Sequence, residues 1–227
     1  MPRAPKTARR AAPRPASREV AETDGRKLRR AATEAKLLAA VDALLAEGGV
    51  AAVGVNAIAA RAGVEKVLVY RYFGGVEGLL TAWAETSDFW PSVEELVGRD
   101  REVLRGDPAT VGARILSRYA AALRRRPVTL DLLAWECAHR DGLTAALERV
   151  REERSEELAA VLLTEGIDLG DGAGEIGALL AAAINYLAVR GRDIQTFGGL
   201  RVRTAKDWAH VEELVAAIFT ALARPKG

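Results

Sequence analysis

Two short stretches of this chain gather side chains able to do chemistry. Trp135-Glu136-Cys137-Ala138-His139 holds the single cysteine and one of the two histidines among 227 residues. Val53 to Phe73 holds Lys66, Tyr70 and Arg71 at a helical spacing. The first stretch invites a thiol nucleophile or a metal site. On a helix, however, Cys137 and His139 are two positions apart and point to different faces. The other histidine, His210, is far along the chain, so neither a Cys–His pair nor a zinc ligand set is expected. Asp168 and Asp171 stand among glycines, yet they supply too few oxygens for calcium and read as a turn. The chain has no P-loop, no GxSxG and no GxGxxG. The expectation is a non-enzyme with no catalytic residue, no metal and no cofactor.

Lys66, Tyr70 and Arg71 pose a different question. Cations and a phenol on an outer helix face serve no core, and both kinds of side chain make phosphate contacts. The surrounding elements explain the placement. Leu37, Leu38, Val41, Leu44 and Leu45 recur at i, i+1, i+4, i+7 and i+8, one face of a helix. Gly48-Gly49 ends it. Val53, Val55, Ile58, Ala59 and Ala62 mark a second, short helix. After Gly63 a third is predicted from about Glu65 to Phe73, stopped by Gly74-Gly75, and a fourth from Val76 to about Trp90. Two short helices joined at Gly63 fit a helix-turn-helix, whose second helix enters the major groove. Small Ala59 and Ala62 suit the crossing, and Val64, Val69 and Phe73 plug the second helix onto the core. Lys66, Val67, Leu68, Tyr70 and Arg71 then face outward.

At these residues the sequence resembles the tetracycline-repressor (TetR) family of bacterial transcription regulators. The likeness rests on Ile58-Ala59, Arg61-Ala62-Gly63-Val64, Lys66 and Tyr70-Arg71-Tyr72-Phe73, followed by Glu77 and Leu79. It covers about residues 28–80. It implies that Lys66, Tyr70 and Arg71 hold phosphates while residues 65–68 face bases. Asn56 joins the candidate contacts, as do Arg29 and Arg30 ahead of the reading unit. There are departures. Glu65 stands where members carry Ser or Thr; it suits the helix dipole, weakens non-specific binding, and can accept a hydrogen bond from a cytosine amino group. Val67 and Leu68 replace a common Gly and Thr and suit thymine methyls. Gly54, Gly75 and Val76 lack polar groups that members use there.

Beyond Pro91, longer helices are predicted at about 93–105, 108–125, 127–139, 142–164, 173–190 and 206–223. No segment alternates as a sustained strand does. The expected fold is all-α, with about nine to ten helices. It pairs an N-terminal three-helix helix-turn-helix DNA-binding domain with a C-terminal helical ligand-binding and dimerisation domain. The boundaries expected are a disordered basic arm over 1–25, the DNA-binding domain over 26–79 and the sensing domain over 80–227. The arm is read from Pro2, Pro5, Pro13 and Pro15 among Ala and Arg without any period.

Composition bounds the partners. At 49% hydrophobic and 28% charged residues, a wholly disordered chain is excluded. Arg, Glu or Asp is expected to interrupt every apolar run before the roughly 18 residues a membrane span needs. The charged N-terminus lacks a signal-peptide core. With one cysteine, the expected compartment is the cytoplasm. The net charge of +2 hides an asymmetry: residues 1–30 carry ten basic and three acidic side chains, a charge of +7, leaving −5 on the rest. Residues 31–75 balance near zero. A basic arm on an acidic body fits a polyanionic partner or merely a solvated leader. The weak backbone grip of the neutral reading unit favours the first, with double-stranded DNA as the partner.

In the remaining half, Trp83, Phe89, Trp90, Tyr119, Trp135 and Tyr186, with His139 and Asn185, form the candidate ligand pocket. Such aromatics build ordinary cores at least as readily, and Asn185 equally suits a hydrogen bond across a dimer interface. Ile176, Leu179, Leu180, Ala183, Ile184 and Leu187 stripe one helix; Val211, Leu214, Val215, Ile218 and Phe219 stripe the last. Either stripe can face its own core. Small Ala178, Ala181 and Ala182 widen the apolar surface, and a homodimer buries the second face. The resemblance then implies a homodimeric repressor on a near-palindromic operator, released by a small, partly apolar effector. The alternative is a helical small-molecule-binding protein or enzyme whose N-terminal unit has another role.

Overall fold

The computed structural model describes the backbone of residues 16–222 and the side chains of residues 25–222. Ten α-helices and two single 3-10 turns make up nearly all of the described regular structure. The expected all-α class holds. Helix α1 (Ala16–Gly48) starts directly after Pro15 and runs for 33 residues. Residues 16–25, expected to be disordered, are therefore helical. Past Pro15 the chain is rich in Ala, Arg, Glu and Lys, all strong helix formers, with Gly25 the least favourable position before the core begins. Residues 1–15 of the expected arm lie outside the described residues.

After a 3-10 turn over Val50–Ala52, α2 (Val55–Ala62), α3 (Val67–Phe73) and α4 (Val76–Thr86) pack beside the C-terminal part of α1. Leu37, Val41, Ile58, Val69 and Leu79 have no exposed surface at all and form the centre of this unit. Four helices each contribute to that centre because each has one apolar stripe too short to be stable alone. Helix α4 also packs along α8. The reading unit is thus fastened to the body through an element both share.

The body continues with α5 (Val93–Val97), α6 (Pro108–Arg124), α7 (Pro127–Glu136), α8 (Gly142–Thr164), α9 (Ala173–Arg190) and α10 (Ala205–Leu222). The helix expected over 93–105 divides in two. Helix α5 stops at Gly98, whose φ is +83°, and a 3-10 turn follows over Glu102–Leu104. Side-chain caps fix several starts, since the first amides of a helix need acceptors. Ser92 accepts from the Glu95 amide, Asp107 from the Thr110 amide, and Asp141 with Thr144 forms a reciprocal capping box on α8. Helix α6 lies centrally, against α5, α7, α9 and α10.

Two features depart from the sequence reading. Between α9 and α10, β1 (Thr196–Phe197) and β2 (Leu200–Arg201) pair antiparallel around Gly198-Gly199, which take φ values of +55° and +88°. Two-residue strands show no alternation; the Gly-Gly pair, which permits a tight hairpin turn, is their only trace in the sequence. Helix α9 is also long and apolar enough, by length and composition, to cross a membrane. Its two charges, Glu175 and Arg190, stand near its ends and leave the run between them uninterrupted. In this fold α9 packs on α6, α7 and α10.

Candidate nucleic-acid interface

The turn of the helix-turn-helix is built by Gly63, which caps α2 at φ +66° with its amide hydrogen-bonded to Ala59 and Ala60 carbonyls. Nothing lies within 4 Å of where its Cβ would be, so the left-handed backbone alone requires glycine. The Val64 amide then reaches back to the Ala59 carbonyl at 3.0 Å. Helix α3 starts two residues later than expected. Glu65 and Lys66 lie in the turn, their carbonyls accepting the first amides of the helix, from Leu68 and Val69. Glu65 thus stands immediately ahead of the first turn, where no side-chain cap hydrogen bond forms.

Behind α3, Val69 is wholly buried and Ala59 nearly so, while Val64 and Phe73 are half-buried against the same core. In front, Glu65, Lys66, Val67, Tyr70 and Arg71 are exposed, Val67 to 55% and Tyr70 to 54%. Leu68, expected to face outward with them, is half-buried. Its place beside fully buried Val69 turns it toward the edge of the face. Asn56 is exposed in the first turn of α2, whose Gly54 cap offers no side-chain acceptor.

Arg29 and Arg30 are exposed on α1, but neither is unengaged. Arg29 Nε donates to the Gly25 carbonyl along the helix. Arg30 pairs with Glu34 at 2.7 Å, and its guanidinium lies 5.2 Å from the centre of the Tyr72 ring on α3. That contact brings the basic end of α1 alongside α3. At the other end of the unit, Arg61 makes two hydrogen bonds to Glu47, at 2.8 and 2.6 Å, tying α2 to α1. Trp83 Nε1 donates to Asp42 at 2.6 Å and ties α4 to α1. These two ties were missed in the sequence, where partners 14 and 41 positions apart carry no common period.

The candidate pocket residues separate into groups. Trp83, Phe89, Trp90 and Tyr119 form a continuous buried chain of rings, with centroids 5.4, 6.1 and 5.8 Å apart. The Tyr119 hydroxyl donates to Asn185 Oδ1, and burial pushes its pKa well above the ordinary range. Asn185 thus finds its partner within the chain. Arg151, which the sequence reading passed over, stands over Trp90 and pairs with Glu136 at 2.7 Å. Trp135 and His139 lie elsewhere, stacked on each other at 3.6 Å beside a shallow cleft that Gly48–Ala51 also line. Tyr186 points outward against Phe197 of the hairpin.

A second cleft, of about 500 Å³, opens between the reading unit and the body. Asp42 and Trp83 line it from one side, Phe89, Arg126, Val128 and Thr129 from the other. Arg126 is held by Asp88 at 2.9 Å and Glu95 at 2.6 Å. Burial alone would raise the Glu95 carboxyl, but hydrogen bonds from Arg126 and Arg125 outweigh it and lower the pKa. Ser87 Oγ, also in the lining, is shielded from solvent and has no hydrogen-bond partner among the described residues.

The expected dimer stripes divide by exposure. Ile184, Val211, Val215 and Phe219, expected at a dimer interface, are buried in the chain's own core. Ile176, Leu180 and Leu187 are half-buried, packed on the same core. Leu179, Ala183, Leu214 and Ile218 remain exposed. Among the described residues, no group of three or more His, Cys, Asp or Glu gathers as a metal site.

Residues 37–83, the span from the α1 core stripe to the tryptophan of α4, match the family model of bacterial regulatory proteins, tetR family. This part of the chain, 47 of its 227 residues, is a helix-turn-helix of the tetR-family type. The match covers the helix-turn-helix and stops where the body begins. Among solved structures, the chain is similar to a transcriptional regulator from Rhodococcus sp. Rha1, with a TM-score of 0.56 and 23% identity over 83% of this chain and 96% of that one. That similarity extends the fold through the body. It is also similar to the TetR-family transcriptional regulator PfmR from Thermus thermophilus, at 19% identity and a TM-score of 0.41 over 84% of this chain and 98% of that one. No curated protein matches the chain.

Proposed function

We propose that this chain is a TetR-family transcriptional regulator that binds a near-palindromic DNA operator as a homodimer, represses transcription there, and is released by a small, partly apolar effector. The outer face of α3 carries the reading. Lys66, Val67, Tyr70 and Arg71 are exposed on a helix whose opposite face is sealed by Val69. Lys66, Tyr70 and Arg71 hold phosphates, Glu65 and Val67 meet base edges, and Leu68 contributes at the margin of that surface. Asn56 on α2, and Arg29 and Arg30 on α1, flank the duplex backbone. No step in this activity is catalytic, and it takes place in the cytoplasm.

The homodimer forms through the exposed apolar residues of α9 and α10, which otherwise leave Leu179, Leu214 and Ile218 in water. The effector occupies the cleft between Asp42, Trp83, Phe89, Arg126 and Thr129. Its apolar part lies on the Trp83 and Phe89 rings, and a polar atom satisfies Ser87 Oγ. Because that cleft has one wall on α1 and another on α7, a ligand that fits only one arrangement of the two shifts their equilibrium by its differential affinity.

The test is a footprint on DNA flanking the regulator's own gene, followed by fluorescence anisotropy on the protected duplex. The combined Lys66→Ala, Tyr70→Ala and Arg71→Ala variant should keep its helical circular dichroism and lose at least about 100-fold in affinity, at 1–3 kcal/mol per contact. Equal binding by the folded variant would refute the assigned face.

A further inference from the structure

The cleft between the reading unit and the body is short of side-chain hydrogen-bond donors. Its one cation is Arg126, and all five N–H groups of that guanidinium are engaged. Nε donates to the Asp88 carbonyl, one terminal nitrogen to Glu95 and the Ala122 carbonyl, and the other to Asp88 and Glu95, at 2.6 to 3.1 Å. The Trp83 indole N–H goes to Asp42, the Thr86 hydroxyl to the Ala82 carbonyl and the Thr129 hydroxyl to the Phe89 carbonyl. The acceptors are not used up in the same way. Asp42 holds Trp83, and Asp88 holds Arg126, through Oδ1 alone. Each keeps an Oδ2 with no partner among the described residues, in a lining that also holds the unpaired Ser87 Oγ.

The start of α7 is where an anion would be sought, because the first amides of a helix have no acceptor within it and Arg126 stands at the cap. That role is already filled. Asp88 and Glu95 pair with Arg126 there, at 2.9 and 2.6 Å, and their carboxylates repel a further anion. With Asp42, the lining sets two carboxylates against one guanidinium. We propose that the effector is an organic cation, a primary or secondary amine bound as its ammonium and carrying a small aromatic or aliphatic body. The ammonium lies between Asp42 and Asp88 and donates to their Oδ2 atoms and to Ser87 Oγ, each a charge-assisted hydrogen bond. The apolar part rests on Phe89, Pro127 and Val128. The same lining disfavours carboxylates and phosphates. Asp42 belongs to α1, whereas Asp88 follows α4 at the entry to the body, so one ammonium joins the reading unit to the body.

This inference rests on the cleft being the effector site, as proposed above, and the experiment separates the two. The probes are phenethylamine, phenethyl alcohol and phenylacetate, three molecules of nearly one shape that are cationic, neutral and anionic at neutral pH. Titration calorimetry on the full chain should show the amine binding at least about tenfold more tightly than the alcohol, and phenylacetate more weakly than either. Asp42→Asn keeps an Oδ1 acceptor for the Trp83 indole and should remove most of the amine's advantage. Val128→Trp, which fills the cleft, should abolish binding. Equal binding of amine and alcohol, or tighter binding of phenylacetate, would overturn the charge assignment; loss of that binding in Val128→Trp would still leave the cleft as the site. An amine preference that survives both substitutions would place the cation elsewhere and remove both readings, as would failure of all three probes to bind at millimolar concentration. An amine that binds in the cleft without releasing the operator duplex, read by anisotropy, would keep the cation site and remove its role as effector site.

Discussion

Asp207 does three jobs with one carboxylate. It accepts the Thr204 amide at 2.8 Å and the Arg203 amide at 3.2 Å, and it pairs with Arg201 at 3.0 Å. The Thr204 hydroxyl accepts the Asp207 amide in return, so the start of α10 is closed by a reciprocal box. Hydrogen bonds from the Thr204 amide, then from its hydroxyl and from Arg201, lower the carboxyl pKa to about 2 against the partial cost of burial. A folded-state pKa below the unfolded one stabilises the fold at higher pH, and that contribution disappears as pH falls through the folded value. The window here runs from the ordinary 3.8 down to about 2. Asp207→Ala should therefore lower the thermal midpoint at pH 6, with the gap to the unaltered protein closing as pH falls from about 4 to 2. A gap independent of pH over that range would mean the ionised carboxylate contributes nothing. This role was hidden in the sequence. Thr204 and Asp207 were not singled out there, and Arg201 reaches the carboxylate only through a hairpin too short to predict. Lys66, Tyr70 and Arg71 were legible, because an outward face on a seven-residue helix follows from local spacing alone.

Glycine separates what is legible at the scale of elements from what is not. Gly63 and Gly74 end helices in the left-handed region, a local requirement that punctuates the sequence and sets α2 and α3 correctly. Gly78 and Gly112 have reasons that lie on other elements. A Cβ on Gly78 would come within 1.9 Å of the Phe73 carbonyl oxygen, the last carbonyl of α3. One on Gly112 would enter the Phe219 ring at 2.1 Å, where α6 meets α10. No window of sequence shows either approach. Backbone cannot yield as a flexible side chain can, so Gly78→Ala must move α3 against α4. The expected result is a loss of about 1–3 kcal/mol in stability, read by urea denaturation. At protein concentrations where the variant remains folded, duplex affinity should fall as well, because the displaced element is the one that carries Lys66, Tyr70 and Arg71. Unaltered stability and affinity together would mean that α3 tolerates the shift. The expected pocket residues fall into separate groups for a related reason: aromatic residues announce burial but not which neighbours they meet, and Trp135 stacks on His139 and Tyr186 on Phe197, apart from the Trp83–Tyr119 ring chain.

For the whole molecule the decisive quantity is where the charge lies. The reading unit is neutral over residues 31–75, and one of its four cations, Arg61, is already committed to Glu47. The body after residue 30 is acidic overall, so the general attraction to a duplex has to come from the first thirty residues, which carry +7. Arg30 lies over Tyr72 on α3, which fixes the direction from which that basic segment arrives: beside the reading helix, not on the far side of the body. Each phosphate neutralised contributes about 0.9 to the slope of log affinity against log salt. Deleting residues 1–25 removes Arg3, Lys6, Arg9, Arg10, Arg14 and Arg18 while keeping, among the described residues, every one of the buried core, which begins there at Leu37. The truncated chain should fold with an unchanged thermal midpoint, bind the operator more weakly at low salt, and lose at least about one unit of salt slope per protomer. Its affinity should converge with that of the full chain as salt rises, because screening removes the arm's contribution first. Parallel salt dependences for the two chains would show that the arm is a solvated leader and that α3 alone grips the backbone.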